Sequence, residues 1–260
     1  MTQASRPLTG IGCLLVAMVL LPIMDGSAKH LSATLPVLMS VWARFFFHMV
    51  IVAPIVVRRH GAAALLPDRF VLQLLRGLCL VGANASFFGS LVYLPLADSL
   101  SIFFISPILV TAASPVFLGE RVGLRRWLAV LAGFAGVLII IRPGFGSLNA
   151  GTLLALASGL LFATFVIMTR RLRDLPVLVT TLYNALFGAM ALTLAAPVFW
   201  VWPSAAEWPY LIAIGVISIA GHYMLIMSYE RAEASLLAPF AYTEIITATL
   251  IGYLWFGDLP

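Results

Sequence analysis

Charged side chains are scarce in this sequence. Only 10% of its 260 residues are Asp, Glu, Lys or Arg, and 62% are hydrophobic, whereas soluble domains carry about 25% charged residues. The apolar runs are not separated by any long polar linker or low-complexity stretch, which excludes a separate soluble domain within the chain. The composition therefore predicts an integral membrane protein.

Cysteines and enzyme motifs are also few. Cys13 and Cys79 are the only cysteines, and both lie in apolar runs, where we expect small fillers without a disulfide or metal role. The sequence has no GxSG serine motif, GxGD aspartyl pair, HExxH metal motif or P-loop lysine. We predict that the protein is not an enzyme and has no cofactor.

Nine apolar segments are long enough, or nearly so, to cross a hydrocarbon core of about 30 Å as helices. Strands of a membrane barrel would be about half as long and would alternate polar with apolar residues. We therefore predict an all-α integral membrane protein. The segments run approximately from 10 to 30, 36 to 57, 73 to 93, 99 to 118, 125 to 141, 151 to 169, 177 to 200, 209 to 229 and 236 to 256.

The basic residues predict orientation. The pI is about 9.6, but the cations are spread over short loops, so no nucleic-acid partner is expected. Cytoplasmic loops carry an excess of Lys and Arg, and we predict an inner (plasma) membrane protein with a cytoplasmic N-terminus. That side would receive Arg6, Arg58, Arg59, Arg69, Arg76, Arg121, Arg125, Arg126, Arg170, Arg171, Arg173 and Arg231, and the other side Lys29 and Arg142.

An internal repeat divides the sequence into units of five spans. An odd number of spans means that the second copy enters the membrane from the opposite side, as in the inverted repeats of secondary transporters. We predict a first repeat over 1–142 and a second over 143–260, which stops before a tenth helix. The matches are Leu35–Leu38 with Leu175–Leu178, then Tyr93, Ser99, Leu100 and Phe104 with Tyr229, Ser235, Leu236 and Phe240, and Phe117–Glu120 with Trp255–Asp258.

Asp25, Arg44 and Glu244 are ionisable residues within apolar spans. A charge in hydrocarbon costs about 2.5 to 3.5 kcal/mol on insertion scales, so these residues are candidates for function. Pro22 and Gly26 beside Asp25 predict a locally unwound helix. Asp25 either binds substrate or protons, or forms an intrahelical pair with Lys29, four residues later.

Arg44 lies among aromatic residues, which suits an anionic or planar substrate. The alternative is a structural ion pair with Asp25 or Glu244. Glu244 either carries a coupling proton or pairs with Arg44. The counterpart of Arg44 in the second repeat is Asn184, so we expect a chemically asymmetric cavity.

Asn84, His222 and Tyr223 occupy equivalent spans of the two repeats and either line a shared cavity or form packing hydrogen bonds. Phe87, Phe88, Phe103, Phe104 and Tyr183 are expected to pack or to face lipid. The full set of candidate residues for substrate binding or coupling is Asp25, Lys29, Trp42, Arg44, Asn84, Phe104, His222, Tyr223, Tyr242 and Glu244.

The fifth span has small residues at spacings of three and four, which let another helix approach closely. They are Ala129, Ala132, Gly133 and Gly136. The face either forms a homodimer contact or packs within the chain.

The sequence resembles the drug/metabolite transporter superfamily, and in particular its EamA-type members. The resemblance rests on Trp42–Phe45, Gly119–Arg121, Ala238–Tyr242 and Trp255–Asp258. It implies ten helices, a central cavity lined by the first four helices of each repeat, alternating access, and peripheral fifth and tenth helices. Many members have a Trp-Gly element where this chain has Asp25–Lys29, which resembles the branch that moves larger polar metabolites such as S-adenosylmethionine or riboflavin.

We therefore expect a secondary transporter of small organic metabolites, such as amino acids, cofactor-like compounds or drugs, with H⁺ as a candidate coupling ion. The alternative is a non-transporting membrane scaffold or assembly protein in which buried ion pairs fix the positions of the helices.

Overall fold

The computed structural model describes residues 7–66, 68–141 and 149–257, with side chains left undescribed over 136–141. The described residues form α-helices connected by short turns, without a strand. The helices are α1 (Pro7–Leu31), α2 (Val37–His60), α3 (Phe70–Ser90), α4 (Leu96–Phe103), α5 (Ile105–Leu118), α6 (Leu124–Ile141), α7 (Ala150–Arg171), α8 (Val177–Phe199), α9 (Trp208–Arg231), α10 (Ala234–Ala241) and α11 (Glu244–Ile251). A 3₁₀ turn, Ala62–Leu65, follows α2, and a π-helical turn, Gly252–Phe256, continues α11.

Eight helical segments of the described residues are long and apolar enough to cross a membrane. They confirm eight of the nine predicted spans, with α4 and α5 together forming the fourth and α10, α11 and the π-helical turn forming the ninth. The predicted fifth span forms α6, which has 18 residues and is therefore about 27 Å long. The protein is an all-α, multi-pass membrane protein.

Helix packing follows the inverted repeat. The first helix of each copy packs mainly against the third helix of the other copy, as α1 with α9 and α7 with α3, and the two second helices, α2 and α8, pack together. One contact occurs twice in mirrored form. A Cβ on Gly77 would lie 3.0 Å from Cβ of Phe187, and a Cβ on Gly215 would lie 2.3 Å from Cβ of Phe47.

Helix ends repeat as well. The predicted Leu-Pro-Val-Leu pair marks the starts of α2 and α8, where Pro36 and Pro176 have ψ of 136° and 131°. The fourth and ninth spans both end at a glycine in the left-handed region, Gly119 with φ 68° and Gly257 with φ 69°. Such a conformation strains residues with a Cβ, which explains the glycine in both copies.

Most of the arginines meet at one side of the bundle, which we call the basic side. Arg69 at the start of α3 pairs with Asp174 after α7 at 2.6 Å, and Arg171 donates to the carbonyl of Phe117 near the end of α5 at 3.0 Å. These contacts bring the start of α3 and the ends of α5 and α7 together on one side, as the distribution of basic residues over the loops predicted. Arg6, Arg142 and Asp258 lie outside the described residues.

Two of these arginines are buried. Arg76 lies about two turns into α3 and is fully buried, and Arg170 is buried near the end of α7. Glu120 accepts from Nε of Arg170 at 3.2 Å and from the backbone N–H groups of Ala234 and Ser235, both at 3.3 Å. A carboxylate at a helix N-terminus is favourable, so Glu120 of the first repeat fixes the start of α10 in the second.

The fourth span is interrupted at Phe104, between α4 and α5. Pro107 has no N–H to donate to the carbonyl of Phe103, so the regular ladder fails there. The N–H of Phe104 still donates to the carbonyl of Leu100 at 3.0 Å and also to that of Ser101 at 3.2 Å. This break was not predicted.

The ninth span is interrupted at Tyr242 and Thr243, between α10 and α11. The Thr243 hydroxyl donates to the carbonyl of Phe240 at 2.7 Å, and short-range bonds replace the regular ladder from Thr243 to Ile246. Phe104 and Tyr242 occupy equivalent breaks, and their rings pack with centroids 5.1 Å apart. The structural counterpart of Phe104 is therefore Tyr242 rather than Phe240, the match expected from the sequence.

The unwinding predicted near Asp25 is wrong, because α1 is helical throughout Pro7–Leu31. Gly26 serves close packing instead. A Cβ there would lie 2.8 Å from Cγ2 of Ile251 and 3.0 Å from the ring of Trp255. The glycine lets α11 and the π-helical turn pack onto α1, and the internal proline of α1, Pro22, is accommodated without a break.

The small-residue face of α6 packs partly within the chain. A Cβ on Gly133 would lie 2.4 Å from the ring of Tyr242, so Gly133 makes room for the break between α10 and α11. Ala129 and Ala132 are exposed, and the surroundings of Gly136 lie outside the described part.

Candidate functional site

Five of the predicted site residues line one central cavity. They are Asp25, Arg44, Asn84, His222 and Glu244, from α1, α2, α3, α9 and α11. All five are buried, with at most 7% of each residue exposed. The cavity holds about 50 Å³, which is room for a few water molecules. Its polar wall is thus built from both repeats.

Arg44 contacts His222 directly. Its Nη2 lies 2.8 Å from Nε2 and 3.1 Å from Nδ1 of the imidazole. Because a guanidinium only donates, the ring nitrogen that receives the bond must be unprotonated, so the imidazole is neutral in this arrangement. The guanidinium carbon also lies 5.6 Å from the centre of the Phe45 ring.

The two carboxylates lie near Arg44 without touching it. Arg44 interacts electrostatically with both Asp25 and Glu244, yet the described residues contain no ion pair within 4.0 Å that joins Arg44 to either one. The site therefore combines one cation and two separate acids around the same space.

Aromatic rings form the apolar wall of the cavity. Phe87, Phe103 and Phe162 line it. The ring centroids of Phe87 and Phe103 lie 5.5 Å apart, and those of Phe103 and Phe162 lie 5.1 Å apart. Phe87 and Phe103 were expected to pack or to face lipid; they pack against each other and also border the polar site. The arrangement provides an edge against which a planar group can pack.

The other five predicted residues lie outside the central cavity. Nζ of Lys29 lies 4.6 Å from the centre of the Phe256 ring, and Tyr223 is half-buried. Phe104 lines a smaller neighbouring cavity that also reaches Glu244, and Tyr242 donates to the carbonyl of Phe104 at 3.4 Å. Trp42 packs against Phe46 and Trp200.

We expect Trp42→Phe to leave transport within about twofold of wild type and to lower stability slightly. The indole Nε1 donates to Oγ1 of Thr193 at 3.1 Å, and losing one such bond costs about 1 kcal/mol. Thermal unfolding of the purified variant and substrate flux in proteoliposomes measure the two effects. A large flux loss in a stable Trp42→Phe protein would place Trp42 in the transport pathway.

Sequence reasoning missed two buried polar residues near the site. His48 lies one turn from Arg44 on α2 and faces Ser218 of α9, with Nδ1 3.3 Å from the hydroxyl oxygen. Arg76 is buried on α3 beneath the ring of Phe165, 5.8 Å from its centre. The spacing of four residues between Arg44 and His48 was the available signal for His48.

The family of the chain follows from its sequence profile. The model of the EamA-like transporter family matches residues 8–142 and again 149–260. The chain belongs to the EamA-like transporter family. This EamA protein is accordingly a multi-pass membrane transporter of small metabolites and not an enzyme.

Curated relatives of this EamA protein carry different substrates. An S-adenosylmethionine uptake transporter of Rickettsia felis is 26% identical over 254 residues, covering 97% of this chain and 86% of the relative. A riboflavin transporter of Vibrio cholerae is 27% identical, covering 100% and 89%. A pseudopaline exporter of Pseudomonas aeruginosa is 26% identical, covering 92% and 84%.

One solved crystal structure superposes on this EamA protein with a TM-score of 0.77. The match covers 98% of this chain and 89% of the other, at 21% sequence identity. At that identity the similarity concerns the fold alone.

Proposed function

We propose that this EamA protein is a secondary transporter that carries a polar organic metabolite through the central cavity by alternating access. The observation that carries this proposal is that buried acidic, basic and amide groups from both repeats meet in one cavity. The cavity also borders the interrupted ninth span. In secondary transporters, substrate sites lie between the repeats where helices are interrupted.

The chemistry of the cavity favours a zwitterionic substrate with a planar ring. Arg44 can bind a carboxylate, Asp25 and Glu244 can compensate a cationic group, and the Phe87 and Phe103 rings can contact an aromatic system. S-adenosylmethionine combines a carboxylate, cationic groups and a planar base. Riboflavin has the planar ring without these charges, so S-adenosylmethionine is our first candidate substrate.

Alternating access requires that the contacts on the two sides of the cavity separate in turn. The cavity volume of about 50 Å³ is too small for such a metabolite, so the cavity must widen before the substrate binds. On the basic side, the bonds of Glu120 to Arg170 and to the start of α10 join the two repeats. We propose that these contacts separate when the basic side opens.

The scaffold alternative is less well supported. A scaffold would join its helices by direct ion pairs between buried charges. Arg44 instead bonds to His222 and does not pair directly with either acid in the described residues. Charges that are held apart remain available to a ligand.

The membrane location, the orientation and the oligomeric state of the transporter belong to the same proposal. We propose an inner-membrane location in contact with lipids, with a cytoplasmic N-terminus and hence a cytoplasmic basic side. A homodimer through α6 is consistent with the exposure of Ala129 and Ala132.

Flux measurements test the proposed function. Purified protein is reconstituted into liposomes preloaded with unlabelled S-adenosylmethionine, and uptake of the labelled compound is compared with that of labelled riboflavin. We expect counterflow of S-adenosylmethionine above that of empty liposomes. Absence of flux for both compounds and for a wider set of zwitterionic metabolites, with protein that remains folded, would overturn the transporter proposal.

Proton coupling predicts a change in pH dependence. Asp25→Asn and Glu244→Gln remove, one at a time, the two acids that line the central cavity among the described residues. If one of them carries the coupling proton, the corresponding variant still exchanges substrate at equal pH on both sides but no longer accumulates it under an imposed pH gradient. Wild-type accumulation in both variants would exclude these residues as proton carriers.

A further inference from the structure

Arg76 is a buried cation without a compensating acid. It is fully buried in α3, and among the described residues no ion pair to it is formed. One nitrogen, Nη2, donates to the carbonyl of Thr180 at the start of α8. Its Nε and Nη1 are buried without a hydrogen-bond partner in the described structure. Buried charges in membrane proteins are costly and usually mark a functional site.

Two amide side chains beside Arg76 are also unpartnered. Gln73 precedes Arg76 by three residues, so both lie on one face of α3, and Asn184 follows Thr180 by one turn on α8. Both amides are at most 1% exposed, and neither the nitrogen nor the oxygen of either amide has a partner among the described residues. Because buried polar groups are nearly always hydrogen-bonded, three such side chains at one helix contact point to a polar ligand.

This cluster lies between the central cavity and the basic side. Arg76 is about 11 Å along α3 from Arg69, which pairs with Asp174 at the surface, and about 12 Å from Asn84 in the cavity. The ring of Phe165 lies next to both the cavity wall and Arg76. It packs against Phe162 of the cavity wall at 5.7 Å and lies 5.8 Å from the Arg76 guanidinium.

We propose that Arg76, Gln73 and Asn184 form a second binding site, for a small carboxylate, distinct from the central cavity. A carboxylate accepts about four hydrogen bonds, and the free donors are Nε and Nη1 of Arg76 and the amide nitrogens of Gln73 and Asn184. The ligand also neutralises the buried guanidinium. The second repeat has no equivalent arginine. The mirrored Gly77 and Gly215 contacts place Ile214 at the position equivalent to Arg76.

The competing explanation is structural. Arg76 would only bind the Thr180 carbonyl, and the two amides would turn toward water or toward each other. In that case Arg76 contributes to stability but the protein does not respond to carboxylates through it.

Thermal unfolding of the full chain in detergent distinguishes the two, with acetate replacing chloride at constant ionic strength. A ligand that binds only the folded state raises the unfolding midpoint in a saturable way. We expect acetate to raise the midpoint of wild type and of Arg44→Gln, in which the cavity arginine is absent. Arg76→Gln should abolish the response, and the exposed-charge control Arg59→Gln should retain it.

Two further variants keep the test decisive if Arg76→Gln does not fold. The double variant Gln73→Leu, Asn184→Leu preserves the charge and similar side-chain volumes but removes the amide donors, and we expect at least a tenfold weaker acetate response. An equal response in wild type and in these variants, or no response in wild type, would overturn the site. Binding is measured without transport, so this outcome leaves the proposed function untouched.

Discussion

Substrate flux through the Arg44→Gln protein should fall by about 100-fold, while the protein still folds. Removing one partner of a buried, hydrogen-bonded charge contact costs 2 to 5 kcal/mol or more, and each 1.4 kcal/mol is a factor of ten. Arg44 is the only cation that lines the central cavity in the described structure, so no other side chain there replaces it. Counterflow in proteoliposomes, with the amount of reconstituted protein matched, measures the loss.

Two controls show whether the loss concerns recognition. Arg59→Gln removes the same charge from the exposed end of α2 and should keep flux within about twofold. Arg44→Lys keeps the charge but lacks the planar fork, so we expect flux between those of wild type and Arg44→Gln. If Arg44→Gln unfolds or aggregates to the same degree that it loses flux, Arg44 acts mainly as a scaffold residue, as the alternative function requires.

The spans and the inverted repeat could be predicted because they depend on segment length and on which loops carry arginine. The breaks at Phe104 and Tyr242 could not. Pro107 and the Thr243 hydroxyl interrupt the ladder there, whereas Pro22 leaves α1 continuous. A proline thus breaks the helix at position 107 but not at position 22, and the packing of neighbouring helices decides between the two outcomes.

The candidate site was partly predictable for a similar reason. An ionisable residue inside an apolar run is visible in the sequence, and Asp25, Arg44 and Glu244 do meet in one cavity. Helices that are apolar all round do not show which face points inward, so Trp42 and Lys29 could not be separated from the cavity residues. Arg76 lies near the start of a span, where an arginine that reaches the surface and one that is buried have the same sequence pattern.

The contact between α2 and α8 leads to a second large effect. Gly188→Ala should destabilise the protein, because a Cβ there would lie 2.5 Å from Cγ of Phe45. That atom is close to the backbone of α2 and cannot swing away as the tip of a long side chain could. Overpacking of this kind costs about 1 to 3 kcal/mol, against a gain of up to about 1 kcal/mol when alanine replaces glycine in a helix. Gly12→Ala in α1, where nothing lies within 4 Å of the new Cβ, is the matched control.

The position of Phe45 next to Arg44 links this contact to the cavity. When α2 is pushed away from α8, the guanidinium loses its position against His222, so Gly188→Ala should reduce flux as well as the unfolding midpoint, and Gly12→Ala should reduce neither. A double-mutant cycle with Phe45→Ala isolates the cause. Phe45→Ala alone destabilises by leaving a cavity, but adding Gly188→Ala to it should carry no further penalty, because the colliding ring is gone. Equal penalties for Gly188→Ala with and without Phe45 would mean that the strain arises elsewhere in α8 and not at the interface between the repeats.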